Sequence, residues 1–211
     1  MTKTFVLGLD GASWRLLDPW IEAGDLPNIA ALRESGTYAP SRSCLPPVTF
    51  PNWKCYASGK DPGGFGVFWF EKVDLEAGEI SVCNGSDFDT PELWDYLNDD
   101  GQTAGVVNMP STYPPRDIED LMVSGGPDAV EGEYRSLEQG YTAPAELEAE
   151  LESRFSYRVH PDPLLSSNDE TGAEVEAILD VFEARFEAAV ALMDERDLDF
   201  VHLTLFYLNV L

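Results

Sequence analysis

Thr4-Phe5-Val6-Leu7-Gly8-Leu9-Asp10-Gly11 sets an unbroken apolar run against an Asp-Gly turn signal. That is the pattern of a buried parallel strand, whose two faces are both covered by helices. Working outward, Pro27-Asn-Ile-Ala-Ala-Leu-Arg-Glu-Ser35 has helical spacing and is stopped by Gly36. A loop rich in Pro and Ser runs from Pro40 to Val48. Thr49-Phe-Pro-Asn-Trp53 then reads as a helix start, with Thr49 as N-cap and Pro51 in the first turn. Glycines from Gly59 to Gly66 turn the chain out of that helix. Thr90-Pro-Glu-Leu-Trp-Asp-Tyr-Leu97 reads as a second capped helix, with Thr90 as cap, and Thr103 to Asn108 as the next strand. Acidic amphipathic helices are expected over Ala143–Phe155 and Gly172–Glu195, separated by a loop over Ser156–Asp169. Phe200 to Phe206 is the last strand. Strands alternating with helices predict an α/β fold, a three-layer α/β/α sandwich around a mainly parallel sheet.

The chain has 211 residues, 44 % of them hydrophobic, enough for one domain spanning 1–211 with a sizeable core. Residues from about 68 to 88 are expected to form a small insertion near the site. Asp and Glu number 39 against 13 Lys and Arg, a formal charge of −26. Such a chain is repelled by nucleic acid and by anionic membrane surfaces, so neither is expected as a partner. With normal apolar content and no unbroken acidic block, the acidity reads as the surface of a folded, halophilic protein whose self-repulsion salt screens. No signal peptide or membrane span is visible, and Cys44, Cys55 and Cys83 are odd in number with no Cys-x-x-Cys pair. They read as reduced thiols in a cytoplasmic protein. The chain stops at Leu211, just past an apolar strand, which suggests a larger protein cut short, its C-terminal part missing.

Two places could carry chemistry. In an open parallel sheet, ligands bind beyond the carboxyl ends of the strands, where Asp10 would project as a hard ligand for a divalent cation. The same Asp-Gly would also serve as a plain turn. Thr49, at a helix N-terminus, would place a hydroxyl beside unsatisfied backbone N–H groups able to hold a phosphate. It could equally be no more than a cap. Of the two histidines, His202 inside an apolar strand reads as a core residue and His160 beside Pro161 as a surface one.

Taken together, Val6-Leu-Gly-Leu-Asp-Gly-Ala-Ser-Trp14, Gly24-Asp-Leu-Pro-Asn-Ile-Ala-Ala-Leu32, Pro46-Pro-Val-Thr-Phe-Pro-Asn-Trp53, Ser58-Gly-Lys-Asp-Pro62 and Val107-Asn-Met-Pro-Ser-Thr-Tyr-Pro-Pro115 resemble the type I phosphodiesterase/nucleotide pyrophosphatase branch of the alkaline phosphatase superfamily. The resemblance implies metal-dependent hydrolysis of phosphate mono- or diesters on a phosphorylated small-molecule substrate. It implies two divalent ions, commonly Zn2+, with Asp10 as first metal ligand. Thr49 becomes the nucleophile, forming a phospho-threonine intermediate and touching a metal. Asn209 falls where the family places a further metal-ligating Asp. Phe65 stands where a His is common, and Phe68-Trp-Phe70 where nucleotide pyrophosphatases carry a phosphate-holding Asn. These departures leave a second expectation, a non-catalytic remnant or binding module of the same fold. Cys44-Leu-Pro-Pro-Val48 lacks the Arg of the sulfatase motif, and Asp10-Gly-Ala12 lacks the Asp-x-Asp of haloacid dehalogenase phosphatases; both classes are rejected.

Overall fold

The structure, a computed structural model, describes residues 2–125, 129–130, 133–134, 139–161 and 171–209. In chain order the elements are β1 (Thr4–Leu9), α1 (Trp14–Ala23), α2 (Pro27–Ser35), α3 (Thr49–Ser58), the short α4 (Pro62–Phe65), β2 (Glu71–Asp74) and β3 (Glu79–Val82). They continue with α5 (Leu93–Asp99), β4 (Ala104–Met109), β5 (Asp120–Ser124), the two-residue strands β6 (Ala129–Val130), β7 (Glu133–Tyr134) and β8 (Thr142–Ala143), then α6 (Leu147–Phe155), α7 (Thr171–Glu195) and β9 (Phe200–Leu205).

The central sheet has the order β1-β9-β4-β5-β8, parallel except for β8 at one edge. Side-chain alternation along its strands explains the layers. Val107, Leu121, Val123, Val201 and Leu203 point to one face, where Leu147 and Leu151 of α6 and Ala188, Ala189 and Leu192 of α7 cover them. Ala104, Val106, Met122 and Phe200 point to the other, against Ala57 of α3 and Trp94 of α5. Six fully buried residues in β4 leave no polar face, as expected of a strand between two helix layers. The expected α/β sandwich with a mainly parallel sheet is therefore present.

Several expectations shift at element ends. Thr90 does not cap α5: Glu92 takes that place, its N–H donating to Asp95 Oδ2 at 2.7 Å, and the helix starts at Leu93. Ala143 belongs to β8, not to the helix, which begins at Leu147. Of the expected loop 156–169, residues 162–169 lie outside the described residues. Residues 71–82 form an antiparallel hairpin, β2 with β3, paired from Glu71↔Val82 to Asp74↔Glu79. Helix α1 was not foreseen, because Pro19 sits inside it. Neither α1 nor α2 buries a residue, and a cleft of about 430 Å³ separates them from Leu7 and Leu9 of edge strand β1. Among the described residues no helix is long and apolar enough to cross a membrane.

Candidate active site

The carboxyl end of β1 meets the amino end of α3. Asp10 follows the strand directly, its N–H donating to Leu205 O of β9 at 3.0 Å, and Gly11 turns the chain at φ 79°. Only glycine takes that left-handed conformation without a steric penalty. Asp10 is 7 % exposed, and its two oxygens face α3. Thr49 Oγ1 donates to Oδ1 at 3.4 Å and Trp53 Nε1 to Oδ2 at 2.6 Å. Residues 39 and 43 positions apart thus share one carboxylate, as residues i and i+4 of one helix face must if the strand end lies beneath that face.

Thr49 differs from its expected role as N-cap. The carbonyl of Val48 already accepts from Asn52 N at 3.0 Å, so Val48 is the cap and Thr49 the first helical residue. Its hydroxyl is not occupied by backbone capping and is turned to Asp10 instead. Burial pushes the Asp10 carboxyl above the usual range, and the Trp53 and Thr49 hydrogen bonds partly oppose it. Both partners are neutral, so the charge has no ion-pair compensation from them.

Sequence reasoning did not assign roles to Trp53 or Gly8, although both lie in the quoted motifs. A Cβ on Gly8 would come within 2.5 Å of the Trp53 ring, so the bare glycine is what lets the indole cross β1 and reach Asp10. The ring also packs edge-on against Tyr56 and His202, at centroid distances of 5.9 and 5.7 Å. His202 is the core histidine expected, fully buried, with Nε2 2.8 Å from Thr204 Oγ1 and Nδ1 3.3 Å from Tyr56 OH. His160 corrects its surface reading: it is partly buried, with Nδ1 2.5 Å from Tyr207 OH. The Asn209 backbone lies in a 3-10 turn, Tyr207–Asn209, after β9, and its side chain lies outside the described residues. Phe65 packs against Phe88 at 5.2 Å, an apolar contact. Cys44 Sγ lies 3.1 Å from Pro46 O, a loop contact.

Beneath the site, Lys54 of α3 is 4 % exposed and its ammonium meets Glu92 Oε1 at 2.5 Å, while Arg116 holds Glu92 Oε2 at 2.8 Å. The pair ties the helix carrying Thr49 to the start of α5.

Asp10 and Thr49 fit the oxygen chemistry of one divalent cation, one anionic donor beside one hydroxyl. Among the described residues, no group of three or more His, Cys, Asp and Glu could hold a metal, so a two-ion site is not accounted for.

Comparison with known proteins supplies the family and the fold. Residues 4–210 match the family described as type I phosphodiesterase / nucleotide pyrophosphatase. Two solved structures of phosphonoacetate hydrolase from Sinorhizobium meliloti 1021, in complex with phosphonoacetate and with phosphonoformate, share the fold, each with TM-score 0.62. They are 19 % and 20 % identical to this chain and cover 96 % of it, whereas the chain spans 46 % of their length. No curated protein matches it in sequence. With a matched region that runs through β1, α3 and β9 alike, the chain belongs to the type I phosphodiesterase/nucleotide pyrophosphatase family, on an alkaline phosphatase-like fold.

Proposed function

We propose that this chain supplies the nucleophile and first metal ligand of a metal-dependent phosphoester hydrolase. The observation that carries the reading is the meeting of Thr49 Oγ1 with Asp10 Oδ1 at the carboxyl edge of a parallel sheet. Thr49 Oγ1 would attack phosphorus, forming a phospho-threonine as the bond to the leaving alcohol breaks; water would then cleave the phospho-threonine and restore the hydroxyl. Asp10 orients that hydroxyl, Trp53 holds Asp10, and the N–H groups of the first turn of α3 face the anionic substrate. Asp10 and Thr49 would hold a divalent ion, with Zn2+ the family's common choice, which would lower the pKa of the Thr49 hydroxyl when bound. Since the chain spans 46 % of the solved relatives, activity is assigned to the protein with the rest of that fold in place. The substrate is a phosphorylated small molecule, mono- or diester. Three free cysteines support a reducing, cytoplasmic location, and the charge of −26 supports a high-salt one.

One observation favours a second reading, a non-catalytic binding module: among the described residues no three His, Cys, Asp or Glu side chains gather into a group that could hold a metal. Calorimetric titration with Zn2+ separates the two. On the first reading the chain binds zinc and Asp10→Ala weakens binding at least about tenfold. In the completed protein, Thr49→Ala abolishes hydrolysis of nitrophenyl phosphate esters while leaving metal affinity within a few-fold. Zinc binding indifferent to Asp10→Ala would sink the metal assignment, and full activity in Thr49→Ala the nucleophile.

A further inference from the structure

Arg185 lies on the inner face of α7 and is fully buried. One amino group donates to Val159 O; Nε and Nη1 have no hydrogen-bond partner. No carboxylate among the described residues forms an ion pair with it. A guanidinium does not lose its proton in a protein, so a full positive charge stands in the core with no counter-charge among the described residues.

The groups around it make the imbalance sharper. Tyr207 presents its ring 5.6 Å from the guanidinium carbon, and Tyr157, 2 % exposed, sets its buried hydroxyl oxygen against the guanidinium. His160 follows Val159 and shares its Nδ1 with the Tyr207 hydroxyl, while Nε2 is buried and unpartnered. With Tyr207 donating to Nδ1, a neutral imidazole carries its proton on Nε2. Burial and the neighbouring Arg185 push His160 down to about 4, so the ring is neutral near pH 7. Among the described residues the Tyr157 O–H, the His160 Nε2–H and N–H groups of Arg185 are then donors without an acceptor, gathered around one cation. Buried polar groups are almost always satisfied, and where the donors surround a cation an anion both accepts from them and neutralises the charge, which water does not.

We propose that Arg185, Tyr157 and His160 form a buried binding site for a single small inorganic anion of the size and charge of chloride. One guanidinium charge matches one monovalent anion. The burial of Arg185, Tyr157 and Tyr207 excludes a phosphorylated metabolite, and the site lies apart from Asp10 and Thr49 in its residues.

Thermal unfolding of the 211-residue chain in chloride and in gluconate, at the same ionic strength, tests it. The expected result is a Tm that climbs by about 3–5 °C for each tenfold rise in chloride past its Kd, with no climb in gluconate. Arg185→Gln abolishes the chloride response. Should that variant not fold, Tyr157→Phe decides the question. If nothing binds there, Tyr157→Phe shifts Tm by the same amount in both salts, and the proposal is overturned. If the anion binds, Tyr157→Phe lowers Tm more in chloride than in gluconate. Coincident wild-type curves in the two salts, or a full chloride response in Arg185→Gln, overturn it as well.

Discussion

Asp10 holds a negative charge where water is nearly excluded and where its two side-chain partners, an indole N–H and a hydroxyl, are both neutral. Such a charge opposes folding unless a cation joins it. Asp10→Asn should therefore raise the Tm of the metal-free chain by about 2–4 °C, the shift that about 1 kcal/mol produces at this size, while reducing zinc affinity. Unfolding scans in chelator check it, and an equal or lower Tm would mean that the carboxylate is already compensated. The two histidines give a pH dependence of definite sign. His160 is pushed down to about 4 and His202 to about 3, both by burial, from an ordinary 6.5. As pH falls below 6.5 the unfolded chain takes up two protons that the folded chain refuses, so stability is complete above 6.5 and is lost on acidification. The slope contributed by the two histidines approaches about 2.7 kcal/mol per pH unit. His202→Gln, whatever it does to absolute stability, should halve the slope in urea unfolding between pH 6.5 and 5. An unchanged slope would show that His202 titrates normally in the fold.

At the level of elements, the site depends on how α3 is held over the end of β1. The Lys54–Glu92 pair is nearly solvent-free, with side-chain exposures of 5 % and 2 %, and Arg116 joins it from a half-exposed position. Removing Lys54 leaves Glu92 with only the half-exposed Arg116 as a cation. Lys54→Ala should therefore cost about 1.5–3 kcal/mol, the loss of a hydrogen bond to a charged group, and Arg116→Ala about 1 kcal/mol or less. The double change Lys54→Met with Glu92→Met should recover most of the loss, because it leaves no buried charge unpaired. Denaturant titration of the double variant beside Lys54→Met and Glu92→Met alone reads this directly, and additive single effects would show that the pair is not coupled. Much of this framework was legible in the sequence. Leu7-Gly-Leu-Asp-Gly11 announces strand and turn by pattern, and Phe200 to Leu205 announces its neighbour. The carboxylate and hydroxyl could be named because strand end and helix start are fixed by local chemistry. The coupling through Trp53 was not legible, since it depends on the missing Cβ of Gly8 as α3 crosses β1. Likewise Lys54 and Glu92 look like ordinary surface charges until α3 and α5 close on them. Helix starts moved by one to four residues because competing caps, Val48 over Thr49 and Glu92 over Thr90, are decided by tertiary contacts.

Across the whole molecule the governing quantity is the charge of −26 on 211 residues. At low ionic strength that charge repels itself across the entire fold, because the Debye length reaches about 30 Å at 0.01 M, and it shrinks to about 3 Å at 1 M. Exposed Glu176, Asp180, Glu183 and Glu187 concentrate the repulsion along one face of α7, at helical spacings where like charges destabilise each other. Tm should accordingly rise on the order of 10 °C between those two salt concentrations, or about 3 kcal/mol for a chain of this length. Screening does not distinguish chloride from gluconate, so this rise appears in both salts; the chloride-specific increment at constant ionic strength is a separate quantity. Replacing Asp180, Glu183 and Glu187 together with Gln removes three of the charges without touching the core. The triple variant should gain stability at low salt, lose part of its salt dependence and converge with the wild type at high salt, where the repulsion it relieves is already screened. If the two proteins instead differ equally at all salt concentrations, the effect is one of helix propensity and not of charge.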